Sequence, residues 1–111
     1  PGFDFHSANL TTDTVIFGEA KYVATTSAYS TALPQIEEFI RDGKDIEDLP
    51  DLKPFCSLNA LNRAYKGQKG FAAAFSARST SSNDLIDNIK ARSDFKSLLC
   101  YEEIILVAVN I

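Results

Sequence analysis

The chain predicts an α/β domain, a mixed central sheet flanked by helices, and three observations lead there. Residues 14–24, 70–78 and 103–109 are short apolar runs of strand length, and runs apolar on both faces mark strands covered on both sides. Between them lie segments whose apolar residues recur every three or four positions, the spacing of an amphipathic helix. The resulting order is strand, strand, helix, helix, strand, helix, strand, an alternation that favours a mixed or parallel sheet with helices on its faces.

The first element is the alternating segment Gly2-Phe3-Asp4-Phe5-His6. A turn-rich stretch from Ser7-Ala8-Asn9 to Thr12-Asp13 folds it back as the antiparallel neighbour of the next strand. In residues 14–24, a period of two puts Val15, Phe17, Glu19, Lys21 and Val23 on one side and Ile16, Gly18, Ala20, Tyr22 and Ala24 on the other. Both sides are largely apolar, so this strand is central. Thr25-Thr26-Ser27 and Ser30-Thr31 offer helix-start chemistry, and Leu33, Ile36, Phe39 and Ile40 continue at helical spacing to Gly43, a stop glycine. Residues 43–54 read as a polar, acidic, proline-bearing loop. Residues 58–65 form a short helix capped by Ser57 and ended by Gly67, with Leu58, Leu61 and Tyr65 on the face that covers the sheet.

In residues 70–78, Phe71, Ala73, Phe75 and Ala77 alternate with small residues, which suits a buried strand with a helix packed closely on its small side. The alanines leave a helix open, but Gly70 and the Ser-Thr run at 79–82 bracket a strand length. Residues 84–96 give another helix, with Leu85, Ile86 and Ile89 inward and Leu98-Leu99 closing it. The segment 103–109 is rich in Ile, Leu and Val and reads as a strand buried on both faces.

The most informative stretch is Phe17-Gly18-Glu19-Ala20-Lys21-Tyr22. Glu19 and Lys21 share one strand face, about 6–7 Å apart, and neither belongs in an apolar interior without a partner. A carboxylate placed there can ligate a hard cation, while the ammonium two residues on faces the water or phosphate that the cation polarises. Asp4 supplies a second carboxylate from the neighbouring strand.

Asp4, fourteen intervening residues and then Glu19-Ala20-Lys21 on an apolar strand resemble the active-site signature of the PD-(D/E)XK superfamily, the restriction-endonuclease-like nucleases. Pro1 lies three places before Asp4 rather than beside it. The resemblance implies a restriction-endonuclease-like fold and Mg²⁺- or Mn²⁺-dependent phosphodiester hydrolysis of DNA. It makes Asp4, Glu19 and the Ala20 carbonyl the metal ligands and Lys21 the lysine that positions or activates the attacking water. It also places a helix after the catalytic strand, on which Gln35 is a candidate to reach the site. The family fold begins with a further helix and strand before the aspartate, so the chain is expected to be a single domain, residues 1–111, cut from a longer protein. The same residues are similar to the nuclease subunit of Hachiman-type anti-phage systems, which implies restriction or antiviral defence.

His6 shares the face of Asp4 and is a further candidate, since histidine titrates near neutrality. Arg78, at a strand end, could clamp a phosphate with its forked donors. Other readings stay open. Glu19 and Lys21 could be a surface ion pair and Asp4 a turn residue, leaving a catalytically inactive module for assembly or DNA-end sensing; a small-molecule phosphohydrolase is a third reading.

A chain of 111 residues makes one domain, and 45% hydrophobic with 23% charged residues excludes disordered and fibrous classes. No run is long enough to span a membrane and no signal peptide is visible, so the expectation is a cytoplasmic protein with no membrane partner. Cys56 and Cys100 are too few and too far apart for a disulfide framework or a zinc knuckle. The net charge of −4 opposes binding dominated by phosphate contacts. Either another domain or subunit supplies the DNA contacts, or the acidic residues Asp42, Asp45, Glu47, Asp48 and Asp51 lie away from the cleft. Lys66, Lys69, Arg78, Lys90, Arg92 and Lys96 all fall later in the chain.

Overall fold

A hairpin, two crossovers and an outer strand organise the chain. The computed structural model describes residues 2–23, 27–78 and 82–110. Strands β1 (Phe5–Asn9) and β2 (Thr14–Lys21) are followed by α1 (Tyr29–Arg41), α2 (Lys44–Asp48), a 3₁₀ turn (Leu49–Leu52) and α3 (Leu58–Tyr65). Then come β3 (Gly70–Ala77), α4 (Ser82–Lys90), α5 (Ser93–Leu98) and β4 (Glu103–Asn110). The sheet is mixed, in the order β1-β2-β3-β4, with β1 antiparallel to β2 and the other neighbours parallel.

The hairpin turns where the sequence carries turn chemistry. Asn9 Oδ1 accepts from the backbone N–H groups of Thr11 and Thr12, and Asp13 adopts a left-handed φ of 54°, which aspartate tolerates better than most residues. Helix α3 shows both of its expected ends. Ser57 Oγ accepts from Ala60 N, while Gly67, at φ +84°, and Gln68 return N–H bonds to Ala64 and Arg63 in the paired pattern of a glycine-terminated helix.

Register fixes the two faces of the sheet. Phe17 pairs with Phe71 and Phe71 with Ile104, so these share a face, and Glu19, Ala73 and Leu106 lie one step along it. That face receives the helices. Val15, Phe17, Phe71, Ala73, Phe75 and Ala77 form one core with Ala32, Leu33, Ile36 and Phe39 of α1, Leu61 of α3, Ile89 of α4 and Leu98 of α5. Phe3 enters the same core, its ring 5.3–5.8 Å from those of Phe17, Phe39 and Phe71. Full burial of Phe17 and of Phe71 contributes about 1.5–3 kcal/mol each.

The opposite face carries Ile16, Gly18, Ala20, Ala72, Ala74, Val107 and Val109, none of which joins that core. The strand order explains this. Both crossovers step in the same direction across the sheet, and right-handed crossovers that do so deposit their helices on the same side.

Several expectations are corrected here. Helices flank the sheet on one side rather than both, and they pack on the Phe71/Phe75 side of β3, not on its small side. Strand β4 is an outer strand, exposed from Leu106 onward, instead of being buried on both faces. Apolar composition cannot tell a central strand from an edge, because position in the sheet is set by topology.

The acidic stretch is largely helical. Lys44–Asp48 and Leu49–Leu52 are ordered because Leu49 and Leu52 enter the core and buried Asp45 pairs with buried Lys69. On α3, Leu58 and Tyr65 are exposed and the small residues Ala60 and Ala64 flank Leu61 on the packed face. The helix expected over 84–96 is two helices, with Ile86 and Leu99 outside. Helix α1 begins after Ala28 with no side-chain cap; Ala28 N donates to Ser76 O instead, and Thr25 and Thr26 lie outside the described residues.

Candidate metal centre

Glu19 is the anomaly of the core. It stands near the end of β2 with only 2% of its surface exposed, at the edge of the aromatic cluster rather than in water. The alternation that buries Val15 and Phe17 carries Glu19 to the same face, and Lys21, one step further, reaches the rim. Lys21 Nζ lies 3.8 Å from Glu19 Oε2, an ion-pair separation too long for a good hydrogen bond. Glu19 Oε1 is buried and has no hydrogen-bond donor among the described residues. A buried carboxylate oxygen left this way is unfavourable by a few kcal/mol unless something else supplies a proton or a positive charge.

Asp4 supplies the neighbour. It sits just before β1, where its N–H donates to Gly18 O at 2.9 Å and its Oδ2 accepts from Ala20 N at 2.9 Å. These two bonds clamp the Asp4 carboxylate against the end of β2. The Asp4 and Glu19 carboxyl groups interact. Burial pushes Glu19 up to about 7, assisted by the hydrogen bond to Asp4 and its negative charge, with Lys21 and the Ala20 N–H opposing. Asp4 moves the other way, held below its ordinary value by the hydrogen bond from Glu19, the Ala20 N–H and the Lys21 charge, against some desolvation. One carboxyl keeps a proton that the other has released, as two like charges at close range require.

The ladder between β1 and β2 ends at Phe5 and Gly18, leaving Ala20 beyond it. The N–H and C=O of one strand residue leave on the same side, so the carbonyl of Ala20 shares the open edge that its N–H offers to Asp4. Gly18 is required here. A Cβ on it would lie 2.1 Å from the ring of Phe5, which crosses the strand at this point and covers the backbone.

Asp4, Glu19 and Lys21 lie together at the end of β2. The donor set of two carboxylates, one of them with the orphaned oxygen, and a carbonyl is all oxygen, a type that suits Mg²⁺ or Mn²⁺, ions that keep several waters and need few protein ligands. No group of three or more His, Cys, Asp or Glu side chains that could hold a metal ion gathers among the described residues.

The auxiliary candidates are placed elsewhere. His6 packs edge-on against Phe17, and its Nε2 lies 2.9 Å from Asp48 Oδ2. Sequence reasoning missed Asp48, and with the two 42 positions apart no local pattern could have shown it. Gln35 is half-buried on α1, and no hydrogen bond joins it to Asp4, Glu19 or Lys21. Arg78 follows β3, exposed, with its N–H donating to Ser27 Oγ. Two later basic residues are already engaged, Lys69 with Asp45 and Arg92 with Asp94, so the charge asymmetry along the sequence does not translate into a free basic surface there.

On the far side of β2 from the carboxylates, an apolar cavity of about 370 Å³ opens at the carboxyl ends of β2 and β3, lined by Ala20, Lys21, Tyr22, Ala74, Ser76 and Val109. No helix of the described residues is long and apolar enough to cross a membrane. Comparison with protein-family models, with curated proteins and with solved structures found no match.

Proposed function

We propose that this domain is a metal-dependent nuclease that hydrolyses DNA phosphodiesters, with the restriction or anti-phage role that its signature implies. The observation that carries the reading is the buried Glu19 carboxyl, coupled to the exposed Asp4 and with Lys21 at its rim, since an acid with an orphaned oxygen in an apolar core has no evident structural use. Asp4, Glu19 and the Ala20 carbonyl would hold Mg²⁺ or Mn²⁺. When bound, the ion supplies charge neutralisation at a phosphate and a water of lowered pKa.

The chain's own residues do the rest. The Ala20 N–H and the end of the β1–β2 ladder fix the Asp4 carboxylate in one orientation, so little reorganisation is needed on binding. Glu19 would give up its proton to a bound cation, so metal affinity should rise with pH up to about 7 and level off above it. Lys21, about a third exposed, can hold its ammonium against a phosphoryl oxygen or the attacking water while remaining anchored beside Glu19. The net charge of −4 leaves the main DNA contacts to another domain or subunit.

The test is cleavage of linear and circular DNA in Mg²⁺ or Mn²⁺ by the purified chain, with Glu19→Ala and Lys21→Ala as controls. Wild type should cut, both variants should lose at least about a hundredfold in rate, and Lys21→Ala should still bind Mn²⁺ in calorimetry. Full cleavage by either variant removes the proposal. Mn²⁺ binding without cleavage of any nucleic acid would favour the inactive, DNA-end-sensing module.

A further inference from the structure

Strand β4 combines an open backbone edge with apolar side chains exposed on both of its faces. It is the outermost strand, and its partner within the sheet is β3 alone. Its second edge therefore presents backbone N–H and C=O groups that no described element pairs. Proteins that remain monomeric protect such an edge with Lys, Pro, a bulge or a covering segment. The sequence of β4, EIILVAVN, has none of these residues, and its single charge, Glu103, sits at the inner end, where the Asn9 amide donates to it at 3.2 Å. Exposure reaches 47% at Val107 and 55% at Val109 on the bare face of the sheet, and 36% at Leu106 on the helix side. Beside Leu106 an apolar groove runs between α4 and β4, bordered by Ile86, which is itself 45% exposed.

An occupant of this edge has to offer a row of backbone hydrogen bonds and apolar side chains above and below it. Those requirements describe a β-strand of the same composition. We propose that β4 pairs antiparallel with β4 of a second copy of this chain, joining two four-stranded sheets into one of eight strands. A two-fold axis normal to the sheet at Val107 keeps the faces matched: Val107 lies opposite itself, Ile105 opposite Val109 and Leu106 opposite Ala108. The small side chain of Ala108 leaves space beside Ile86 that the partner's Leu106 fills. Glu103 falls outside the paired segment, so the association brings no carboxylates together in a chain whose net charge is −4. The pairing is isologous and closed, the commonest form of soluble assembly, and it does not depend on the nuclease reading.

Sedimentation equilibrium and light scattering of the purified chain test this. At roughly 100 μM, a hundredfold above a micromolar dissociation constant, wild type should have the mass of a dimer. Val107→Lys places two ammonium groups face to face across the axis on an already exposed position, and should raise the dissociation constant roughly tenfold or more while leaving the far-ultraviolet circular dichroism unchanged. Val107→Cys, in a Cys56→Ser, Cys100→Ser background, should cross-link to itself under mild oxidation, because directly opposed strand residues lie within disulfide range. A monomeric wild type at that concentration, or a dimer indifferent to Val107→Lys, overturns the proposal. Self-cross-linking through Leu106→Cys in place of Val107→Cys would overturn the register.

Discussion

Replacing Glu19 by Gln separates the electrostatics of the candidate metal centre from its packing. In the folded chain the Glu19 carboxyl holds its proton up to about 7, against an ordinary value of 4.5. Between those two values the folded protein keeps a proton that the unfolded chain has released, so each step up in pH favours unfolding. Stability tied to Glu19 is therefore fully present below about pH 4.5, is lost through the window to about 7, and stays lost above it. At 1.36 kcal/mol per pH unit the whole gap corresponds to at most about 3.4 kcal/mol. Exposed Asp4 and Lys21, about a third exposed, let solvent screen the site, which brings the figure to about 1–2 kcal/mol. Glutamine has no proton to lose, and its amide can donate to Asp4 as the protonated carboxyl does. At pH 8 without metal, Glu19→Gln should therefore be more stable than wild type by about 1–2 kcal/mol, raising the melting temperature by about 4–8 °C. At pH 4.5 the two should melt together. The Asp4 shift lies in another window, since a depressed carboxyl contributes stability that is lost only as pH falls below its ordinary 3.8. Thermal and urea melts in chelator at pH 4.5 and pH 8 make the comparison. Adding Mn²⁺ at a hundred times its dissociation constant should then stabilise wild type by about 2.7 kcal/mol and leave the variant unmoved. A variant that is equally or less stable at pH 8 would refute the buried, proton-holding description of Glu19.

Two further predictions concern the frame around the site. Gly18→Ala drives a methyl into the ring of Phe5 and should destabilise the fold by about 1–3 kcal/mol in urea; a double-mutant cycle with Phe5→Ala should recover part of the loss, and simple additivity would show that the ring is not the obstacle. Asp45→Asn leaves the buried ammonium of Lys69 without its counter-charge and should lower stability by about 3–5 kcal/mol, read as a lower urea midpoint at unchanged slope; a change under 1 kcal/mol would show that water reaches the pair.

What was legible in the sequence was local. The alternation over residues 14–24 announced a strand, which the structure forms over Thr14–Lys21, Ser57 and Gly67 announced the ends of α3 through capping chemistry, and Glu19 with Lys21 announced a shared face through the period of two. Asp4 could be expected beside them because a short hairpin fixes its partner within a few residues. The 43–54 stretch misled because its polar residues resemble a loop, while Leu49, Leu52 and the Asp45–Lys69 pair, joined across 24 positions, hold it in helical turns. The His6–Asp48 contact was invisible for the same reason of separation.

The amino-acid order by itself marked the four strands and helices α1 and α3, and it placed two acids and a lysine on neighbouring strand positions, because periodicity and hairpin closure act over a few residues. Only the tertiary structure decided that both crossovers put their helices on one side, that β4 is an edge, and that the Glu19 carboxyl sits dry with one oxygen unmatched. Those outcomes depend on strand order and on contacts between residues distant in the chain. An Ile-Leu-Val run reads the same whether the sheet continues beyond it or stops.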